Sequence, residues 1–139
     1  MGAVPLQRPE LNEQQATEPR TVLLVDDDED MRLYLRTCLR STSTPFERVI
    51  EAADGLEALR LIRSETIELV ITDVGLPGLD GRRLTRAIRD DARLDHVSVL
   101  VISGEAVIAD GNADGFLSKP FNSRQLSAAI DRLPRRGTT

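Results

Sequence analysis

The chain reads as an α/β domain built on a parallel sheet covered by helices on both faces. Two observations predict this. Short, continuously aliphatic runs alternate with amphipathic stretches of helical period from Thr21 onward, and that alternation is how strand–helix–strand crossovers appear in a sequence. The runs are also apolar throughout rather than at every second residue, as strands buried on both faces require.

"TVLLV" (21–25) is the first strand. Met31, Tyr34/Leu35 and Cys38/Leu39 then recur at helical spacing and predict a helix over about 29–41. "RVIEA" (48–52) is the second strand. Asp54 with Glu57 three residues later forms an Asx version of the capping box, opening a helix whose inner face is Ala58, Leu59 and Ile62. "ELVIT" (68–72) is the third strand, followed by the turn-rich "DVGLPGLDG" (73–81). Leu84, Ala87 and Ile88 mark a helix ending near Asp91. "VSVLVI" (97–102) and "GFLS" (115–118) are the fourth and fifth strands. Asn122 caps a last helix with the stripe Leu126, Ala129/Ile130 and Leu133, and Pro134 stops it. Residues 1–20, with Pro5, Pro9 and Pro19 and no sustained period, are expected to be a flexible arm. The domain is then 21–134, with 135–139 as a tail.

Composition narrows the function. The 139 residues suit one domain, and 40% hydrophobic with 29% charged residues is ordinary for a soluble protein. A net charge of −5 and 3% aromatics argue against nucleic acid as a partner. No run approaches the ~20 apolar residues of a membrane span. The opening residues lack a signal-peptide core, and Leu6 stands where a myristoylation signal needs Ser or Thr, so a cytoplasmic location is expected. Cys38, the single cysteine, lies on the apolar face of the first helix and reads as packing. His96, the single histidine, precedes the fourth strand and reads as surface, so the chain is not itself a phosphohistidine donor. Arg82, Arg86, Arg89 and Arg93 share a helical face, read as solvated, with an acidic partner as the alternative.

The charged end of the first strand poses the functional question. Five consecutive acids, Asp26 to Asp30, follow a buried strand, although adjacent like charges ~4 Å apart repel by about 4 kcal/mol at an effective dielectric of 20. In open parallel sheets, sites form at the carboxyl ends of strands where the strand order switches direction. With the order 2-1-3-4-5, the first and third strands are neighbours there. Asp26, Asp27 and Asp73 then converge on one crevice, an oxygen-rich anionic site for a hard divalent cation, Mg²⁺ first among them. The fourth strand ends in Ser103 and the fifth leads to Lys119, a hydroxyl and an ammonium suited to phosphate oxygens. A carboxylate can attack phosphorus when such neighbours neutralise the target's charge. The positive end of the helix beginning near Glu29 helps to hold the acids.

"LLVDDDEDMR", "VITDVGLPGLDG", "VISGE" and "GFLSKPF" resemble, in order, the signatures of bacterial response-regulator receiver domains, over about residues 20–134. The resemblance implies a flavodoxin-like fold, with Asp73 phosphorylated by a histidine kinase or a histidine phosphotransfer protein. It implies Mg²⁺ held directly by Asp27, Asp73 and the backbone carbonyl of Gly75, with Asp26 acting through water. Ser103 and Lys119 would bind the phosphoryl oxygens, Phe116 would be the aromatic whose rotamer reports on Ser103, and the Lys119–Pro120 peptide would be cis. Such a protein would catalyse its own phosphorylation and dephosphorylation and act by changing which protein it binds. No output module is encoded after Pro134, so a stand-alone domain is expected.

Two departures accompany the resemblance. Residues 104–118 leave room for little more than a helical turn, so the helix that receivers carry between their fourth and fifth strands is expected to be short or missing. Gly104, Gly111 and Asn112 predict a mobile segment over 104–113, with "AVIA" (106–109) covered or offered to a partner. Gly75 stands where receivers often carry a larger side chain that helps to set water's access to the acyl phosphate. Two rival readings remain: a small haloacid-dehalogenase-type phosphatase with Asp26 as nucleophile, and a degenerate receiver that works without phosphorylation.

Overall fold

In a computed structural model, which describes residues 20–43, 45–104, 112–134 and 136, five parallel strands form one sheet in the order β2-β1-β3-β4-β5. They are β1 (Thr21–Val25), β2 (Arg48–Ala52), β3 (Leu69–Asp73), β4 (Ser98–Ser103) and β5 (Gly115–Ser118). Among the described residues the helices are α1 (Glu29–Leu39), α2 (Gly55–Ser64), α3 (Gly81–Arg89) and α4 (Ser123–Asp131), with a short 3₁₀ turn at Ala92–Leu94. The expected arm apart from Arg20, the tail apart from Arg136, and most of the segment expected to replace a helix after β4 lie outside the described residues.

Alternating side chains of the central strands feed two separate apolar layers, because successive residues of a strand point to opposite faces. Leu23, Val25, Val70, Val99 and Val101 pack with Ala58 and Ile62 of α2 and with Leu84 and Ile88 of α3. Val22, Leu24, Ile71, Leu100 and Ile102 pack on the other face with Leu35, Cys38 and Leu39 of α1 and with Leu126 and Ala129 of α4. Val22 through Val25 have no exposed surface. Side chains from Val22 to Val25 are buried on one layer or the other, which is why this stretch of β1 is an unbroken apolar run.

The boundaries differ from the sequence reading in ways that matter for the site. β3 runs one residue further, so Asp73 is its last residue, and β4 likewise ends on Ser103. α1 stops at Leu39 rather than residue 41. The cap of α2 is half of the expected box. The Asp54 carboxylate accepts from Glu57 N–H at 2.8 Å, but the Glu57 carboxylate accepts from Ala53 N–H at 3.0 Å, one residue before the cap. Asn122 forms the complete box at α4, with Gln125 as its partner.

One reading is corrected. Arg89 does not join Arg82, Arg86 and Arg93 on a solvated face. Its side chain is 13% exposed and points inward to Asp114, whose own side chain is 3% exposed. Arg89 donates to Asp114 at 2.9 Å and to the carbonyls of Asn112 and Val97. Arg136 donates to the other oxygen of Asp114 at 2.8 Å, and Val99 N–H donates to Asp114 at 2.8 Å. The cluster sits at the amino end of β4 and the entry of β5, the end of the sheet away from the converging acids. Arg93 pairs instead with Asp91 at 3.0 Å.

Candidate phosphoacceptor and metal site

The five acids after β1 have separate positions, which is how the chain tolerates them. Asp26 is buried at the strand end, with Asp28 N–H donating to its carboxylate at 2.9 Å. Asp28 is the N-cap of α1 and accepts from Asp30 N–H at 2.9 Å. Glu29 and Asp30 occupy the first helical turn, where the helix dipole favours negative charge. Asp27 is exposed at the mouth of the site.

β1 and β3 are direct neighbours, so Asp73 at the end of β3 lies beside Asp26 and Asp27. One carboxylate oxygen from each lies within 4.8 Å of the other two. This all-oxygen, compact and anionic donor set fits a hard divalent cation. Metal–oxygen distances of about 2.1 Å put opposite ligands of an octahedron about 4.2 Å apart, so a spread of up to 4.8 Å accommodates two direct carboxylates and one acting through water.

Lys119 follows β5 and reaches over the same crevice. Its Nζ is 3.4 Å from Asp73 Oδ1 and 3.9 Å from Asp26 Oδ2. Its backbone N–H donates to the carbonyl of Ser103 at 2.8 Å, which ties the end of β5 to the end of β4. Ser103 is buried at that strand end, one residue past Ile102, the register partner of Asp73. The Lys119–Pro120 peptide is cis. Phe116 lies two residues before the β5 terminus, opposite Val101, and is partly buried against the α2/α3 layer.

Gly75 leaves the far side of Asp73 open. A Cβ placed there would meet a single atom within 4 Å, Asp73 Oδ2 at 3.9 Å. Gly81, in contrast, is required by packing. A Cβ there would fall 2.3 Å from the Asp73 carbonyl, so only glycine lets α3 start against the end of β3.

Burial pushes the Asp26 carboxyl above the usual carboxylate range, and the neighbouring charges of Asp73 and Asp27 push in the same direction. The Asp28 N–H and the Lys119 ammonium act against them without cancelling the effect. Three carboxylates face one ammonium here, so the site carries an excess of negative charge that a bound cation would relieve.

Two residues of α1 that the sequence reading did not assign to the site support it from beneath. Arg32 donates to the Asp26 carbonyl at 2.6 Å and to Glu51 of β2 at 2.7 Å, and Arg36 donates to the other Glu51 oxygen. Tyr34, read as part of the apolar stripe, sends its hydroxyl to the Phe121 carbonyl. A phenol at the margin of a helical stripe was the available signal, because a partly buried hydroxyl takes a partner. For Glu51, burial raises the carboxyl, but the two arginine hydrogen bonds outweigh it and hold the group below its ordinary range. A depressed carboxylate stabilises the fold above its unfolded pKa, and that contribution is lost as pH falls through the folded value. Glu51→Gln is therefore expected to cost about 1 kcal/mol at neutral pH, as for a charge-assisted pair that water still reaches. The gap from wild type in urea melts should close as pH drops below the carboxylate range; a gap independent of pH would contradict this.

A parallel 2-1-3-4-5 sheet with acids at the ends of β1 and β3 and a lysine after β5 defines a class, and the comparisons agree. The sequence pattern of the response regulator receiver domain matches residues 22–131, and the chain belongs to that family. Among its relatives is the chemotaxis protein CheY of Pseudomonas aeruginosa, 34% identical over 118 residues that cover 81% of this chain and 94% of that protein. The sensor histidine kinase TmoS of Ectopseudomonas mendocina is 33% identical over 130 residues, 89% of this chain but 13% of the kinase. The chemotaxis protein CheY4 of Vibrio cholerae superposes with a TM-score of 0.72 at 27% identity, covering 84% of this chain and 99% of that one. TrrA of Thermotoga maritima, solved in complex with Mg²⁺ and BeF, gives 0.71 at 25% identity, covering 83% and 99%. The chain is a response regulator receiver, a phosphoacceptor class of signalling protein. No helix among the described residues is long and apolar enough to cross a membrane.

Proposed function

We propose that Asp73 takes a phosphoryl group from the phosphohistidine of a histidine kinase or phosphotransfer protein, and that the modified chain then changes its protein partner. An Asp73 carboxylate oxygen attacks phosphorus, a P–O bond forms, the P–N bond breaks, and the donor imidazole leaves with the electron pair and takes up a proton. Lys119 and Ser103 bind the phosphoryl oxygens that gain charge as the group passes. Asp27, Asp73 and the Gly75 carbonyl would hold Mg²⁺, with Asp26 acting through water. The cation, when bound, neutralises charge shared between the carboxylates and the incoming phosphoryl group.

The observation that carries this reading is the 3.4 Å approach of Lys119 Nζ to Asp73, at the point where the three carboxylates meet. Asp26 is the less able nucleophile because it is buried and already accepts from Asp28 N–H, which weighs against the phosphatase reading. The open space beside Gly75 leaves the acyl phosphate accessible to water, so the chain is assigned a second step as well, in which water attacks phosphorus and releases inorganic phosphate and the free Asp73 carboxylate. The partner is a protein surface in the cytoplasm, since the net charge of −5 opposes nucleic acid.

The test is incubation with acetyl phosphate and Mg²⁺, followed by intact-mass measurement and peptide mapping. One added phosphoryl group on Asp73, absent when EDTA is present, is the expected result. A group on Asp26 would favour the phosphatase, and no modification with Mg²⁺ present would favour the phosphorylation-independent receiver.

A further inference from the structure

The segment that carries Lys119 is gripped at three points. Lys119 N–H donates to the Ser103 carbonyl at 2.8 Å, and Asn122 N–H donates to Gln125 of α4 at 2.9 Å. Between them, the Phe121 carbonyl accepts the Tyr34 hydroxyl at 2.5 Å. The two rings also meet, with centroids 5.5 Å apart and planes tilted by 56°. Phe121 is 7% exposed, whereas Tyr34 is 42% exposed.

The Phe121 carbonyl has no part in the α4 ladder, whose first internal bond runs from Leu126 N–H to the Asn122 carbonyl. Without Tyr34 it would turn to water at little expense to the fold, because the contact lies at the surface. The same helix grips the acidic half of the site, since Arg32 donates to the Asp26 carbonyl at 2.6 Å. α1 therefore holds both shores of the crevice: the acids through Arg32 and the lysine's loop through Tyr34.

We infer that Tyr34 is a positioning residue, whose hydroxyl sets where the Lys119 ammonium stands relative to Asp73 and thereby tunes affinity for a phosphoryl group. The inference rests on the phosphoacceptor reading above. A hydroxyl that acts only through Lys119 should support phosphoryl binding without supporting cation binding, because the ammonium competes with a cation for the carboxylates of β1 and β3.

The experiment uses Tyr34→Phe, which keeps the ring and removes the hydroxyl, in otherwise full-length protein. Mg²⁺ affinity is measured alone, and beryllofluoride affinity is measured at saturating Mg²⁺. Beryllofluoride affinity is expected to fall about fivefold, the worth of one neutral hydrogen bond, with Mg²⁺ affinity undiminished and melting temperature unchanged. In a Lys119→Ala background the same substitution should produce no further loss. Unchanged beryllofluoride affinity, an equal fall in Mg²⁺ affinity, or the same loss without Lys119 would each overturn the role of Tyr34. Wild-type protein that binds no beryllofluoride with Mg²⁺ present would instead refute the phosphoacceptor reading, and the role of Tyr34 with it.

Discussion

Asp73→Asn protein is expected to keep its unmodified mass after incubation with acetyl phosphate and Mg²⁺. An amide is not a nucleophile toward phosphorus under these conditions, and the remaining acids are poorly placed to replace it. Asp26 is buried against its own α1 amide, and Asp27 is exposed. The same substitution should stabilise the protein in the absence of metal. Charges 4.8 Å apart at an effective dielectric of 20 repel by about 3.5 kcal/mol before screening. Asp73 has two such carboxylate neighbours and one cation, Lys119 at 3.4 Å, which keeps Asp26 as a partner at 3.9 Å when Asp73 is neutral. Repulsion thus exceeds attraction, and a gain of about 1 kcal/mol is expected after screening. Urea unfolding in EDTA measures it. A variant that is still phosphorylated, or one that is less stable than wild type without metal, would break the argument at a different step in each case.

Asp114→Ala is expected to cost about 3–5 kcal/mol, the usual consequence of removing one partner from a buried ion pair. The carboxylate, with 3% of its side chain exposed, pairs with both Arg89 and Arg136 and also accepts Val99 N–H. Arg89 Nη1 is buried without a hydrogen-bond partner, so that guanidinium has no spare contacts to fall back on. Burial already lowers the Arg89 pKa from the ordinary arginine value, with the charge of Asp114 opposing the shift. Once Asp114 is gone, the cation keeps the carbonyls of Asn112 and Val97 as hydrogen-bond partners and the more distant charge of Asp95. The urea midpoint should fall by about 2 M for a domain of this size. A loss below about 1 kcal/mol would mean that water reaches Arg89 and that the pair is not buried in solution.

The sheet and the acidic crevice were legible because each depends on a local signal that topology then gathers. Continuous aliphatic runs identify strands whose two faces are both covered. Once the strand order is assumed, the acids ending β1 and β3 must meet whatever their side chains do. Ser103 and Lys119 follow from the same rule. The Arg89–Asp114–Arg136 cluster was not legible, because nothing near Arg89 distinguishes it from the exposed Arg82 and Arg86. Its partner lies 25 residues away, across a connection whose path sequence period does not fix. Arg32 and Tyr34 were missed for a related reason. Arg32 looks like an ordinary member of a helix surface and Tyr34 like one of the apolar stripe, and the value of both comes from reaching a backbone carbonyl, an acceptor every residue possesses.

The buried carboxylate of Asp114 makes the entry of β5 a fixed post, fastened at once to α3, to the neighbouring strand and to Arg136. At its exit, Lys119 N–H donates to the Ser103 carbonyl at 2.8 Å. A strand held in this way, by Asp114 at its foot and by pairing with β4 from Gly115 to Ser118, gives the lysine that follows it a stationary base.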